Sequence, residues 1–305
     1  MSTTAVTYQA PVSLPELFSL LAPAPGADPP RLLAGGSDLI VQTRAGRIKP
    51  GPIVDLKRVP DLVGISRDGP GWRIRAATPC AVIGEHAELR AEWPGVVEAA
   101  TLIGSKQVQG RGSLGGNLCN ASPAADSVPA LIAAGATVVV GSAGPGGAVG
   151  LRELPVEAVA VAPGRTCLAR GEVVLALRLP ERGPRAADAY LRLIPRTEMD
   201  IAVAGCGVSL QLDVQGVIVA ARVALGAVAP TALLVPAAAD ALIGSALDTT
   251  ALGKLEAAAR AACRPIDDKR STAKYRIHVA GVLARRAATE AYQRALRRSA
   301  QEQRS

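Results

Sequence analysis

The most constraining feature of this chain is a glycine-dense string, Gly110 to Gly116, set in a sequence that is otherwise nearly half apolar. Gly110, Gly112 and Gly115 fit G-x-G-x-x-G, the dinucleotide fingerprint. That pattern carries meaning only in context: a strand before it, a helix opening on it, and an acidic residue about 20 positions later. Here the preceding segment, Pro94 to Ile103, reads as helix. Gly116 to Asn120 does not read as the opening of one, and residues 130 to 140 contain no acid. A Rossmann unit is therefore excluded, and the glycines need another reason.

A second loop supplies one. Ala34-Gly35-Gly36-Ser37 and Gly112-Ser113-Leu114-Gly115-Gly116-Asn117 each set paired glycines beside small polar residues. Without a Cβ, such pairs let main-chain amides approach an anion closely. The first loop also precedes an expected helix, Asp38 to Ala45, where free N–H groups favour phosphate. Ser37 is placed to cap that helix and Gly46 to close it. Two such loops suggest a ligand with a pyrophosphate at its middle; ordinary tight turns are the other reading of the same spacing.

Periodicity organises the rest. Val12 to Leu21 reads as a helix ended by the Pro/Gly run Pro23 to Pro30, and Arg31 to Ala34 and Pro52 to Leu56 read as short strands. Gly71 to Thr78 alternates Trp72, Ile74 and Ala76 against Arg73 and Arg75, the pattern of a half-buried strand. Ala81 to Ala91 is expected to be helical. Ser122 is expected to cap a helix that begins at Pro123 and closes at Gly135. Ala136 to Val140 and Glu172 to Leu179 read as buried strands. After Pro180 the texture changes through an apparent linker, Glu181 to Pro184. Ile201 to Asp213 and Val217 to Val228 then form an expected hairpin around Val214-Gln215-Gly216. Three helices follow, Thr231 to Leu247, Thr250 to Cys263 and Ser271 to Arg298. The expected fold class is α+β: a first domain over 1–180, split into two subdomains near 58, and a smaller sheet packed by helices over 181–305.

Composition narrows function. Aromatics make up only 2% of residues, which argues against a base-stacking nucleic-acid platform. The net charge is +8, and part of the excess lies in Arg285, Arg286, Arg294, Arg297 and Arg298. A basic helix of this kind reads as a solvated face or a docking edge for an acidic partner, with a nucleic-acid or membrane surface as the other reading. Cys80, Cys119, Cys167, Cys206 and Cys263 include no CxxC, which fits buried thiols in a reducing compartment rather than disulfides or an iron–sulfur site. His86 and His278 have no metal-site spacing. The uncharged stretch Ser127 to Leu151 is broken by six glycines and prolines between Gly135 and Gly147, whereas a bilayer helix needs about 20 continuous apolar residues. No signal peptide is expected, and the expectation is a soluble, cytoplasmic protein. There is no G-x-S-x-G elbow, P-loop or H-E-x-x-H helix, so no catalytic residue is assigned; a bound cofactor would carry the chemistry.

The residue strings support a resemblance. Leu32-Leu33-Ala34-Gly35-Gly36-Ser37-Asp38-Leu39, together with Gly112 through Asn120 to Asp126, resembles the FAD-binding medium subunit of the xanthine dehydrogenase and aerobic carbon monoxide dehydrogenase family of molybdenum hydroxylases. Tyr190-Leu191-Arg192, Arg196 and Asp200-Ile201-Ala202 are similar to a later family stretch, and Asp268 to Leu283 to the end of its C-terminal domain. The resemblance implies a PCMH-type, vanillyl-alcohol-oxidase-like FAD domain followed by a smaller antiparallel α+β domain. It implies FAD contacts from residues 32 to 39 and 112 to 117, with Asn120, Ser122 and Asp126 close by. Tyr190 would lie against the isoalloxazine ring, Arg192 beside the reduced flavin, and Val174 along the pocket. For Asp126 a first-turn helix charge, for Tyr190 and Val174 plain core packing, and for Arg192 a surface position are the competing readings. Gln109 departs from the family, which often has a basic residue there, and the cysteine-bearing insertion of benzoyl-CoA-type relatives is absent.

The implied partners are a large molybdenum–pterin subunit and a small subunit with 2Fe–2S clusters, assembled as a dimer of heterotrimers. Electrons would leave through FAD to NAD, oxygen or a quinone. The rival readings are a self-contained flavin oxidase or reductase, which needs its own acid/base groups, and a non-enzymatic nucleotide-binding module.

Overall fold

A capping serine and a first-turn proline start the first helix. The Ser13 side chain accepts a hydrogen bond from the Glu16 amide (3.3 Å), and α1 (Leu14–Leu21) buries Leu17, Phe18 and Leu21. The computed structural model describes residues 7–22 and 28–302, so most of the Pro/Gly run expected to end α1, and both chain ends, lie outside the described residues. Three short strands, β1 (Tyr8–Gln9), β2 (Arg31–Leu33) and β3 (Ile53–Asp55), make a parallel sheet ordered β1-β3-β2, and α2 (Leu39–Arg44) connects the last two. Gly46 closes α2 as expected, its amide donating to Thr43 O (3.1 Å). Ser37 does not cap it: the N-cap is Asp38, in helical backbone and without a side-chain bond.

A second unit follows. β4 (Ile65–Asp68) and β5 (Gly71–Arg75) pair as a hairpin, with Trp72 and Ile74 buried as their alternation predicts. The expected helix over 81–91 is two, α3 (Cys80–Glu85) and α4 (Ala87–Glu92), because His86 breaks the run and its Nδ1 accepts the Leu89 amide (3.2 Å). α5 (Pro94–Thr101) and α6 (Lys106–Gln109) lead into the glycine string. Contrary to expectation, that string does open a helix, α7 (Leu114–Cys119), capped by Ser113 Oγ, which accepts the Gly116 amide (3.1 Å). Glycine is a poor helix former, by about 1 kcal/mol per residue, but here packing decides. With no strand in front of it, the Rossmann context still fails.

The next helix, α8 (Ser127–Ala133), starts four residues later than expected. Ser122 caps only a turn, accepting the Ala124 amide (3.3 Å), because Ala121 takes φ 49° and redirects the chain. β6 (Thr137–Ala143), β7 (Val149–Pro155), the small pair β8 (Ala160–Ala162) and β9 (Arg165–Thr166), and β10 (Val173–Leu179) complete the unit as an antiparallel sheet ordered β4-β5-β10-β6-β7.

The remaining chain builds a second antiparallel sheet from β11 (Ala186–Leu193), β12 (Ala204–Leu212), β13 (Ile218–Gly226) and β14 (Leu233–Leu234), in that order. The β12–β13 turn falls where expected: Asp213 Oδ1 accepts the amides of Gln215 (2.9 Å) and Val217 (2.8 Å). The helix expected over 231–247 is absent. Leu233 and Leu234 add to the sheet edge, and only α9 (Pro236–Asp240) is helical, because proline has no N–H to continue a helix from before it. α11 (Ala273–Glu302) then covers one face of this sheet, and α10 (Thr249–Ala262) packs against α11 and α9.

α5 and α8 cover the other face, so the two units share a dry seam. A Cβ on Gly207 of β12 would lie 2.6 Å from the carbonyl oxygen of Pro129 in α8, and α11 seats Ala280, Ala284, Ala287 and Ala291 with no exposed surface. The apparent linker is part of the seam. Arg182 is buried, stacks 3.6 Å from the centroid of the Trp93 ring and pairs with buried Asp188 (2.8 Å), whose other oxygen accepts the Val96 amide (3.1 Å). The cysteines are unpaired. Cys80, Cys206 and Cys263 are buried, but Cys119 is only partly so and Cys167 is exposed. No helix among the described residues is long and apolar enough to cross a membrane.

Candidate functional site

The two glycine loops, about 75 residues apart in sequence, meet. A Cβ on Gly35 would sit 2.3 Å from the Arg111 carbonyl oxygen and 2.8 Å from Gly112 Cα, so only glycine fits. Beside this contact opens a cavity of about 410 Å³, within the usual range for small-molecule sites. Its wall takes Leu32, Ala34, Gly35, Gly36, Ser37, Asp38 and Leu39 from the first loop and Gly112, Ser113, Gly115, Gly116, Asn117 and Asn120 from the second, with Val174 between. The side chains of Leu33 and Leu114 turn into the core, which leaves only their main chain for a ligand.

The first loop offers open donors. Among the described residues, the amides of Gly35, Gly36, Ser37 and Asp38 make no main-chain hydrogen bond. Gly36 holds φ +80°, which lets the chain reverse into α2. Behind the loop, Lys57 Nζ donates to Ala34 O (2.8 Å) and to Asp55 Oδ1 (2.7 Å), and Asp55 Oδ2 accepts from the Tyr8 hydroxyl (2.6 Å). The loop is thus held by a cation on its far side. Arg31 adds a second positive charge on the wall, its Nε buried without a partner among the described residues.

The second loop differs. Gly112 N donates to Val108 O (2.7 Å), Gly115 N to Ala76 O (3.1 Å) and Asn117 N to Ser113 O (2.9 Å). These amides are spent on the fold, but the Ser113 amide makes no hydrogen bond among the described residues, so this loop offers fewer open donors than the first and adds surface and side chains. Asn120 Oδ1 accepts from Gln42 Nε2 (2.9 Å), which ties α7 to α2 across the cavity. Asn117 Oδ1 accepts from the Ser127 hydroxyl (2.7 Å).

Ser122, Asp126, Tyr190 and Arg192 do not line the cavity. Asp126 adjoins Ser127, one residue behind the wall, and gathers the Tyr190 hydroxyl (3.1 Å) and the Arg192 guanidinium in a buried cluster at the seam. Asp126 does stand at a helix start, as the N-cap residue of α8, but its side chain turns to this cluster and makes no cap bond; Arg192 is not a surface residue, and the Tyr190 ring packs with Ala99 and Ala130 rather than along the cavity. The cause is long-range pairing in a dry site. Burial lifts the Asp126 carboxyl to about 6 against the opposing pull of Arg192. Gln109 is likewise buried, its amide donating to Thr101 O (2.6 Å).

Several wall residues had no signal in the sequence. Gly164 and Leu168 arrive through the β8–β9 region, Ile103 from beyond α5, and Val173 beside Val174. Gln42 was within reach of sequence reasoning, since it lies one helical turn after Asp38 and so shares its face.

The site fits FAD. Open amides on the first loop, with Lys57 behind them and Arg31 beside them, suit a diphosphate; Ser37, Asp38, Gln42 and Asn120 suit a hydroxyl-rich chain; Ile103, Leu168, Val173 and Val174 make an apolar wall.

Comparison with known proteins agrees with this chemistry. Residues 4–182 match the family described as the FAD binding domain in molybdopterin dehydrogenase, and residues 189–291 match the CO dehydrogenase flavoprotein C-terminal domain. The chain is 33% identical to the carbon monoxide dehydrogenase medium chain of Hydrogenophaga pseudoflava, over 94% of this chain and 97% of that one. It is 35% identical to the medium chain of Afipia carboxidovorans, with the same coverage. Among solved structures it resembles a chain of the cyanide-inactivated Cu,Mo-CO dehydrogenase, with a TM-score of 0.88 and 32% identity over 96% of this chain and 100% of that one. The chain belongs to the molybdopterin dehydrogenase flavoprotein family, as an FAD-binding medium subunit of an oxidoreductase complex.

Proposed function

We propose that this chain holds FAD with the diphosphate on Ala34 to Leu39 and the remainder of the cofactor along α7 and Val174. One observation carries the reading: two distant glycine loops touch and line one cavity. Bound there, FAD would supply the capacity to accept and release electrons. The chain's own work is positional. Lys57 and Arg31 set a positive field behind and beside the open amides, and Gln42 with Asn120 closes the wall. Asp126, Tyr190 and Arg192 stiffen the turn behind Asn117 and leave Arg192 neutralised.

In this reading residues 1–180 form the flavin domain, divided near 58, and 181–305 the family's C-terminal domain. A large molybdenum–pterin subunit hydroxylates the substrate, a small subunit passes electrons through 2Fe–2S clusters, and the flavin delivers them to NAD, oxygen or a quinone. The complex is a cytoplasmic dimer of heterotrimers, and its substrate pocket lies on the large subunit.

The test is co-purification from the native host followed by flavin, iron and molybdenum analysis. FAD with two partner chains is expected. A complex without flavin, and an isolated chain with no flavin absorbance after incubation with FAD, would sink the reading. Steady turnover of an organic substrate by the isolated chain would instead favour a self-contained oxidase or reductase.

A further inference from the structure

A second cavity, of about 430 Å³, opens at the seam between the two units, away from both glycine loops. Arg90 of α4 and Glu98 and Thr101 of α5 line one side; Arg294, Arg297 and Arg298 of α11 line the other. Arg294 is spent on Glu98, on Glu290 and on the Asp188 carbonyl (2.9 Å), which leaves Arg90, Arg297 and Arg298 as the cavity's unbalanced guanidiniums. Glu98 pairs with Arg294 and also accepts the Tyr190 amide (3.3 Å). Glu290 on α11 pairs with Arg294 (2.9 Å) and reaches Arg297 only at 3.6 Å. Arg298 donates to the Glu92 carbonyl (3.2 Å) and Arg90 to the Gly84 carbonyl, both neutral acceptors.

The positive charge is crowded as well as unbalanced. Arg298 also acts on buried Arg182: burial pulls the Arg182 pKa below the usual arginine range against the opposing pull of Asp188, and repulsion from Arg298 adds to the fall. A chain under no demand at this place would spread such charges into solvent. Instead guanidiniums from both units converge on a concave surface whose low-dielectric walls concentrate their field. Guanidinium groups bind oxyanions through paired, planar N–H donors, which is why arginine rather than lysine marks such sites.

We infer that this arginine-lined cavity between α4, α5 and α11 binds a small multivalent oxyanion, bearing phosphate or several carboxylates, that bridges the two units. The site is independent of the flavin reading, because it shares no residue with the first cavity.

The test is calorimetric titration of the full chain with inorganic pyrophosphate and, separately, with citrate, at ionic strength held constant with chloride. At least one of the two is expected to bind saturably at one site per chain that persists when FAD fills the glycine loops. The double variant Arg90→Gln/Arg297→Gln is expected to bind at least tenfold more weakly. Both side chains are exposed, and an unchanged circular dichroism spectrum and melting temperature in chloride control for folding. Pyrophosphate binding assigns a phosphate-bearing ligand, and citrate binding a polycarboxylate. No saturable binding, or binding undiminished in the double variant, overturns the inference; the latter would place pyrophosphate on the glycine loops. A response to a hexaglutamate peptide without one to either small anion also overturns it, in favour of a polypeptide partner.

Discussion

The two glycine loops touch at Gly35, yet they are built in opposite ways. The first stands on a six-residue helix with no buried side chain, leaves four amides open, and takes its rigidity from a distance through Lys57 and Asp55. The second is buried from Gly112 to Gly115, uses most of its amides internally, and is capped by its own serine. The same residue type therefore serves two ends: at the first loop it exposes main chain to a ligand, and at the second it lets main chains pack. A glycine-rich motif alone does not say which, because the difference lies in where the N–H groups point.

The contrast can be broken at four places. Gly35→Ala puts a methyl group against a carbonyl that cannot retreat, so it is expected to destabilise the protein by about 3 kcal/mol and to weaken FAD binding about 100-fold; a melting temperature and flavin content near wild type would show that the loops do not meet.

Behind the second loop, Asp126 holds its proton more tightly in the folded state than in the unfolded one. Its contribution to stability is therefore complete below about pH 4 and is lost as pH rises through about 6, a change of at most about 3 kcal/mol. Unfolding followed from pH 4 to 7 should show the advantage of wild type over Asp126→Asn shrinking across that window, and a constant difference would contradict it.

Lys57→Met removes the support behind the first loop while leaving its backbone intact. A cost of about 2 kcal/mol and a roughly tenfold loss of FAD affinity are expected, with Lys57→Arg recovering part of the affinity. Ser113→Ala removes only a helix cap, about 1 kcal/mol, and should lower FAD affinity less than Lys57→Met does. Should the two affinities fall equally, the second loop is a ligand cradle after all.

Local pattern was informative wherever a segment decides its own structure. The β12–β13 hairpin follows from two apolar runs around Val214-Gln215-Gly216, and α11 from its long alanine periodicity. Where contacts across the molecule decide, the sequence was silent or misleading. α7 forms despite Gly115 and Gly116 because Gly115 packs on Ala76. A helix was expected over 231–247, but Leu233 and Leu234 are recruited to the sheet edge first. The glycine loops themselves were readable, and both line one cavity. The position of Asp126 was not, because its partners lie 64 and 66 residues further along the chain.

The seam at Gly207 has a consequence for any electron carrier. Transfer rates fall steeply with the gap an electron must cross, so a wobbling joint would blur the rate from one moment to the next. A strand and a helix pressed together with no space for one added carbon behave like a machined spacer, fixing the separation between the flavin unit and the second sheet.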